Sequence, residues 1–134
     1  MSLSEHLEQL LEQVSLRVGD PAPRVYERLF AESPQLLPLF VADRAGKVRA
    51  EMFLRALDTL VDLAAGKPYA PGMIASERVT HSHHGIDAAQ FDRFFHLIGE
   101  VFRDALGSGW TPAMADTWHL LMLRVAAIHG HPSN

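Results

Sequence analysis

The chain has 134 residues, a formal net charge of −4 at pH 7, 48% apolar residues, 21% charged residues and no cysteine. These values are typical of a single compact globular domain, because this length allows one core of useful size and leaves little room for a second. Scattered lysines and arginines form no basic stripe for nucleic acid, and the lack of thiols excludes disulfides, zinc–thiolate sites and iron–sulfur clusters.

Apolar residues at helical spacing predict helices in the first half of the chain. Ser2 and Glu5 have the form of a capping box before the first helix, and Gly19-Asp20-Pro21 ends it. Ser33-Pro34 separates the second helix from a short turn. The predicted segments are a helix carrying Leu7 to Val18, a second carrying Val25 to Phe30, a turn from Leu36 to Phe40, a loop over 42–46 and a helix from about Lys47 to Ala65.

The second half continues as helices separated by glycine and proline. Residues 66–72 break the chain, and Gly85 and then 107–109 end two further helices. Asp87 and Thr111 are predicted N-caps. The predicted segments are a helix from around Met73 to the histidine cluster at 81–84, a long helix carrying Phe91 to Ala105 and a last helix carrying Met114 to Ile128. No strand pattern is present, which predicts an all-α fold.

We expect one domain over residues 1–134, in which 130–134 form a short polar tail that is mobile. No apolar run reaches the ~18 residues that span a bilayer. The start of the chain, Met1 to Glu5, has no basic region followed by an apolar stretch. A cytoplasmic protein that contacts no membrane is therefore expected.

Two groups of residues carry a resemblance to a known family. The first is Tyr26 to Phe30, followed by Pro34 and Phe40. The second is His81-Ser82-His83-His84-Gly85-Ile86, followed by Phe91 and Trp118. In order and spacing these residues resemble the bacterial single-domain globins and the globin domain of flavohaemoglobins, and the resemblance covers roughly Leu7 to Ile128.

The resemblance implies a globin fold of six to eight helices around a pocket for one haem. The haem would be of the b type and held without covalent bonds, since the chain has no Cys-x-x-Cys-His motif. His81, four residues before Gly85, matches the proximal iron ligand. Tyr26 is the residue expected to contact a diatomic gas, whether oxygen, nitric oxide or carbon monoxide. The residues implied around the haem are Phe40, Val48, Met52, His84, Phe94, Ile98 and Met122. Four further side chains are candidate partners of its propionates or, equally, solvated charges: Lys47, Arg49, Arg78 and His84.

The chain departs from the flavohaemoglobin pattern near the proximal histidine. Phe91 stands where those proteins carry a tyrosine, and the chain ends before their late glutamate. Val48 stands where the distal glutamine is usual. Their flavin and nicotinamide-binding domains have no room in 134 residues.

Three readings of the function stay open beside reversible gas binding for carriage, buffering or sensing. One is nitric oxide dioxygenation with a separate reductase, and another is a haem-free signalling or interaction domain of the same fold. The third is a divalent-cation site at His81 and His84, which share a helix face. Each of the two proposed site residues also has a simpler reading, His81 as a surface histidine and Tyr26 as a core tyrosine. Trp118 is predicted to be structural.

Overall fold

The computed structural model describes residues 1–128, so the predicted tail at 130–134 lies outside the described residues. The described part contains six α-helices and two short 3-10 helices and no strand, which confirms the all-α prediction. None of these helices is both long and apolar enough to cross a membrane. The α-helices are α1 (Leu3–Val18), α2 (Ala22–Glu32), α3 (Lys47–Ala64), α4 (Ala70–His83), α5 (Ala88–Leu106) and α6 (Pro112–Ala127), and the 3-10 helices are Pro34–Phe40 and Gly107–Gly109.

The helix starts follow the predicted caps. Ser2 and Glu5 form a reciprocal capping box at α1, Asp87 accepts from the Gln90 amide at 2.8 Å, and Thr111 caps α6. The start of α4 differs from the prediction, since this helix begins at Ala70 rather than around Met73. Pro71 is tolerated there because the amides of a first helical turn have no partner within the helix.

Helix α5 is the centre of the fold, because it packs against α1, α2, α4 and α6. Its long apolar face is buried together with residues from α1, α3 and α6 in one continuous core. Helix α1 also packs against α6 and α3, and α3 packs against α2, α4 and α6. The 3-10 helix at Pro34–Phe40 packs against α2. This arrangement leaves α2, α3, α4 and the first half of α5 around a common space, which becomes the candidate site.

Trp118 joins α6 to α5 at a point where the two helices approach closely. Its side chain is buried, and its Nε1–H donates to the Phe95 carbonyl at 3.2 Å. The rings of Trp118 and Phe102 form an edge-to-face pair whose centroids are 5.5 Å apart. The ring lies over Gly99, where an added Cβ would stand 2.2 Å from Nε1. The prediction that Trp118 is structural is confirmed by this burial.

Arg78 is buried and ties α4 to the two helices that follow it. Its Nε and Nη2 donate to the two carboxylate oxygens of Asp92 at 2.9 and 3.1 Å. Its guanidinium also donates to the carbonyls of Val125 and Ile128, where α6 ends. The suggestion that Arg78 pairs with a haem propionate is therefore corrected, because its donors are used within the protein.

Candidate functional site

A cavity of about 460 Å³ lies between α2, the 3-10 helix at Pro34–Phe40, α3, α4 and the first half of α5. This volume is within the range typical of ligand pockets, about 300–1,000 Å³. The lining is mostly apolar, and a few polar side chains join it. Among the predicted site residues, the lining includes Tyr26, Phe40, Val48, Met52, His81, His84 and Phe94.

His81 reaches the cavity from the last turn of α4. Its Nδ1 lies 2.8 Å from the carbonyl oxygen of Glu77, one turn earlier. A carbonyl only accepts hydrogen bonds, so Nδ1 carries the proton of the neutral ring and the lone pair remains on Nε2. The ring also packs against Phe91, with centroids 5.0 Å apart. An imidazole with its proton on Nδ1 and its lone pair on Nε2 is the tautomer that binds a metal through Nε2.

The neighbouring histidines are placed differently. His84 follows the end of α4 and lines the cavity, whereas His83 is exposed and does not. Gly85 adopts a left-handed conformation with φ of 83°, and the Ile86 amide then donates to the His81 carbonyl, so the chain turns back and Ile86 joins the lining. Within residues 1–128 no group of three histidine, aspartate or glutamate side chains is placed to hold a metal ion. The described residues therefore supply no third ligand for a divalent cation bound by His81 and His84.

Tyr26 lines the cavity and carries a buried hydroxyl. The residue is 3% exposed, and its OH has no hydrogen-bond partner among residues 1–128. Its ring is surrounded by Phe30, Phe40 and Phe94, with centroid distances between 5.5 and 6.1 Å. Burial strongly raises the pKa of this phenol, so it remains a protonated donor. An unpaired buried hydroxyl is costly, so a hydrogen bond from Tyr26 to a polar ligand in the adjoining cavity would be favourable.

Helix α3 forms the opposite wall. Val48 and Met52 line the cavity as the sequence implied, and neither offers an N–H or O–H donor in its side chain. Two polar lining residues of this helix, Arg55 and Thr59, were missed. Thr59 donates to the Arg55 carbonyl at 2.7 Å, whereas the exposed Arg55 guanidinium forms no ion pair within the described residues. Their spacing of seven and eleven residues from Val48 is the signal that would have identified them.

The structure places two of the implied haem contacts away from the cavity. Ile98 is fully buried, but it lies one turn after Phe94 and Phe95, the last α5 residues in the lining. Met122 is buried on α6, and none of the described α6 residues lines the cavity. Both belong to the core that packs α5 with its neighbours. Apolar periodicity marks buried residues, and it cannot separate core from cavity wall.

Asp43 fixes the loop before α3 at the edge of the cavity. Its carboxylate accepts from the backbone amides of Val48 and Arg49 at 3.1 and 3.0 Å, and Arg49 also donates to the Asp43 carbonyl at 2.8 Å. Desolvation raises the pKa of Asp43, but these hydrogen bonds and the Arg49 guanidinium together lower it below its ordinary value. Arg49 is thus engaged with Asp43, which corrects its assignment as a propionate partner. Lys47 is exposed and does not line the cavity.

We expect Asp43→Asn to lower stability at neutral pH and to lose this effect in acid. A carboxyl whose pKa is lowered in the folded state stabilises it above the unfolded pKa, and the contribution disappears as pH falls through the folded value. Urea unfolding of wild type and variant should differ at pH 7, and the difference should shrink as pH falls below about 4. Asp58→Asn, at an exposed position of α3, is the control. A difference in stability that is as large at pH 3 as at pH 7 would mean that charge is not the cause.

The family model described as Globin matches residues 23–128, which is most of the chain and includes every residue that lines the cavity. No curated protein matches the chain, and no solved structure matches it. The matched range begins inside α2, so α1 lies outside it.

Proposed function

Since the chain belongs to the globin family, we propose that it holds one b-type haem without covalent bonds, with His81 as iron ligand, and binds a diatomic gas reversibly. The observation that carries this proposal is the placement of His81. Its ring lines an apolar cavity of ligand size, and its Nδ1 is occupied by the Glu77 carbonyl. A free Nε2 in such a setting is the arrangement that haem iron requires.

The residues around His81 fit a large, flat, apolar group with a polar edge. Phe40, Phe94 and Phe91 supply aromatic walls that exclude water. Arg55 and His84 line the cavity and are exposed, so we assign them to the propionates. Bound haem would supply an iron centre that coordinates oxygen, nitric oxide or carbon monoxide.

Tyr26 is the donor on the gas side of the proposed site. Its hydroxyl is protonated, buried and without a partner among the described residues. Val48 and Met52, on the facing helix, offer no donor. The Tyr26 hydroxyl can therefore hydrogen-bond to a polar gas molecule in the cavity. It would take the role of hydrogen-bond donor that a distal glutamine has in related globins.

We expect Tyr26→Phe to speed oxygen dissociation by about twofold to tenfold, because one neutral hydrogen bond contributes roughly 0.5–1.5 kcal/mol. Carbon monoxide, whose bound form is less polar, should respond less. The same change should leave the haem-free protein as stable or more stable by about 1 kcal/mol, since it removes an unpaired buried hydroxyl. Stopped-flow rates measure the first effect and urea unfolding the second. Unchanged oxygen rates would remove Tyr26 from the site.

The proposal as a whole is tested by the absorption spectrum of the purified protein after reconstitution with haemin. A Soret band that shifts on reduction and again on adding carbon monoxide would support it. A protein that takes up no haemin would favour the haem-free reading. Nitric oxide dioxygenation remains the enzyme alternative. This alternative would be supported if the oxygenated protein consumed nitric oxide rapidly while an added flavin reductase supplied electrons.

A further inference from the structure

Glu77 brings its carboxylate close to the ring of His81. It lies one turn earlier on α4, and both side chains line the cavity. The Glu77 backbone oxygen is 2.8 Å from Nδ1 of His81, and its carboxylate oxygen Oε2 is 3.7 Å from the same nitrogen. One residue therefore brings two acceptors to a single ring N–H.

No other charged group competes for this carboxylate in the described structure. Arg78, the next residue on α4, directs its guanidinium to Asp92 and the end of α6. Within residues 1–128, Glu77 forms no ion pair with a lysine or an arginine, and the His81 ring is the one titratable side chain within 4 Å of its carboxylate. Phe91, on another side of the ring, offers no acceptor. Among the described residues, Glu77 thus supplies the one carboxylate within ion-pair distance of Nδ1.

A carboxylate near Nδ1–H has a definite chemical effect on the opposite nitrogen. The separation of 3.7 Å is too long for a strong hydrogen bond but short enough for a substantial charge–dipole attraction. That attraction polarises the N–H bond, with the proton drawn toward the carboxylate, and so increases the electron density at Nε2. The side chains of His81 and Glu77 are 28% and 33% exposed, so solvent weakens the effect without removing it.

We propose that Glu77 is a positioning residue for His81: the backbone carbonyl of Glu77 holds the ring in one orientation, and its carboxylate makes Nε2 of His81 a stronger electron donor. This inference rests on the proposed function, because it concerns the donor strength of the iron ligand. Stronger donation stabilises ferric over ferrous iron and strengthens the iron–histidine bond. The role differs from that of Tyr26, which lies on α2 and acts on the gas.

The test is Glu77→Gln in the haem-loaded protein. Glutamine keeps the backbone carbonyl and nearly the same shape, and only the charge is lost. We expect the iron–histidine stretching frequency of the ferrous form to fall and the reduction potential to rise. At a fixed solution potential, the ratio of ferric to ferrous protein should fall by about twofold to fivefold, as for a partly exposed charge pair.

A matched control separates a local effect from a general change in charge. Glu12→Gln removes the same charge from α1, which does not line the cavity, and should shift neither readout. Raised salt should move the wild-type potential toward that of Glu77→Gln. Thermal unfolding checks that both variants fold, which is expected for a partly exposed, near-isosteric change.

The outcomes distinguish this inference from the function beneath it. If the wild type shows an iron–histidine band and Glu77→Gln shows the same frequency and potential, the inference is wrong and the proposed function stands. If Glu12→Gln shifts the readouts as much as Glu77→Gln, the effect is one of net charge and the inference is also wrong. If the wild type retains no haem, both fail.

Discussion

His81→Gly is expected to abolish the normal ferrous spectrum and to accelerate haem loss. Without the imidazole, the described part of α4 offers no other nitrogen held toward the cavity by a backbone carbonyl. The loss should exceed the roughly 10–100-fold that follows from losing a residue that only supports a metal ligand. Glycine leaves a space of the shape of the missing ring, so added imidazole should enter it and restore the spectrum. Absorbance of the reduced protein, with and without imidazole, measures both effects.

The matched controls are His83→Ala and His84→Ala. His83 is exposed and outside the lining, so its variant should resemble wild type. His84 lines the cavity and should at most weaken haem retention, as expected of a propionate partner. If His84→Ala lost the iron ligand and His81→Gly retained it, the ligand would lie one turn later and the assignment would be wrong. If none of the three changed the spectrum, the protein would not use this cluster.

Gly99→Ala is expected to destabilise the protein although alanine is the better helix former. The new Cβ would stand 2.2 Å from Nε1 of Trp118 and 2.4 Å from Cδ1, which are atoms of a rigid, buried ring. Overpacking of this kind typically costs about 1–3 kcal/mol, occasionally more. Here the cost should lie at or above the upper value, because the displaced ring would also lose its hydrogen bond to Phe95. Urea unfolding of the haem-free protein measures it.

The sign of this effect should reverse once the ring is removed. Trp118→Ala alone should cost about 3–5 kcal/mol, as for a buried aromatic side chain. In that background Gly99→Ala meets no ring and should stabilise by up to about 1 kcal/mol, since glycine within a helix is unfavourable. If Gly99→Ala cost the same in both backgrounds, the contact between α5 and α6 would not be the cause. Trp118→Leu provides a second, less cavity-prone background.

The positions of the helices were predictable from the sequence because their signals are local. The capping box at Ser2, the caps at Asp87 and Thr111, and the break at Gly107 each act within a few residues. The one displaced boundary, at Ala70 instead of Met73, is also a local matter. The sequence pattern counts Pro71 as part of the helix break at 66–72, but a proline in the first turn is compatible with a helix.

The candidate site was predictable only in part. Phe40, Val48, Met52 and Phe94 were implied and do line the cavity, whereas Ile98 and Met122 were implied and do not. Apolar spacing along one helix marks the buried face. Whether that face meets another helix or an open space depends on where the helices cross.

The sequence by itself determined the all-α architecture, the helix ends apart from the start of α4, and the segment from 81 to 86 that presents a histidine and then turns. Tertiary structure alone decided that Arg78 donates its hydrogen bonds to Asp92 and the end of α6. It also decided that Gly99 makes room for Trp118 and that the Tyr26 hydroxyl has no protein partner among residues 1–128. The physical reason is range. Caps and helical periodicity join residues that are close in the chain, whereas partners of Arg78 lie 14 to 50 residues away and are brought together only when the core packs.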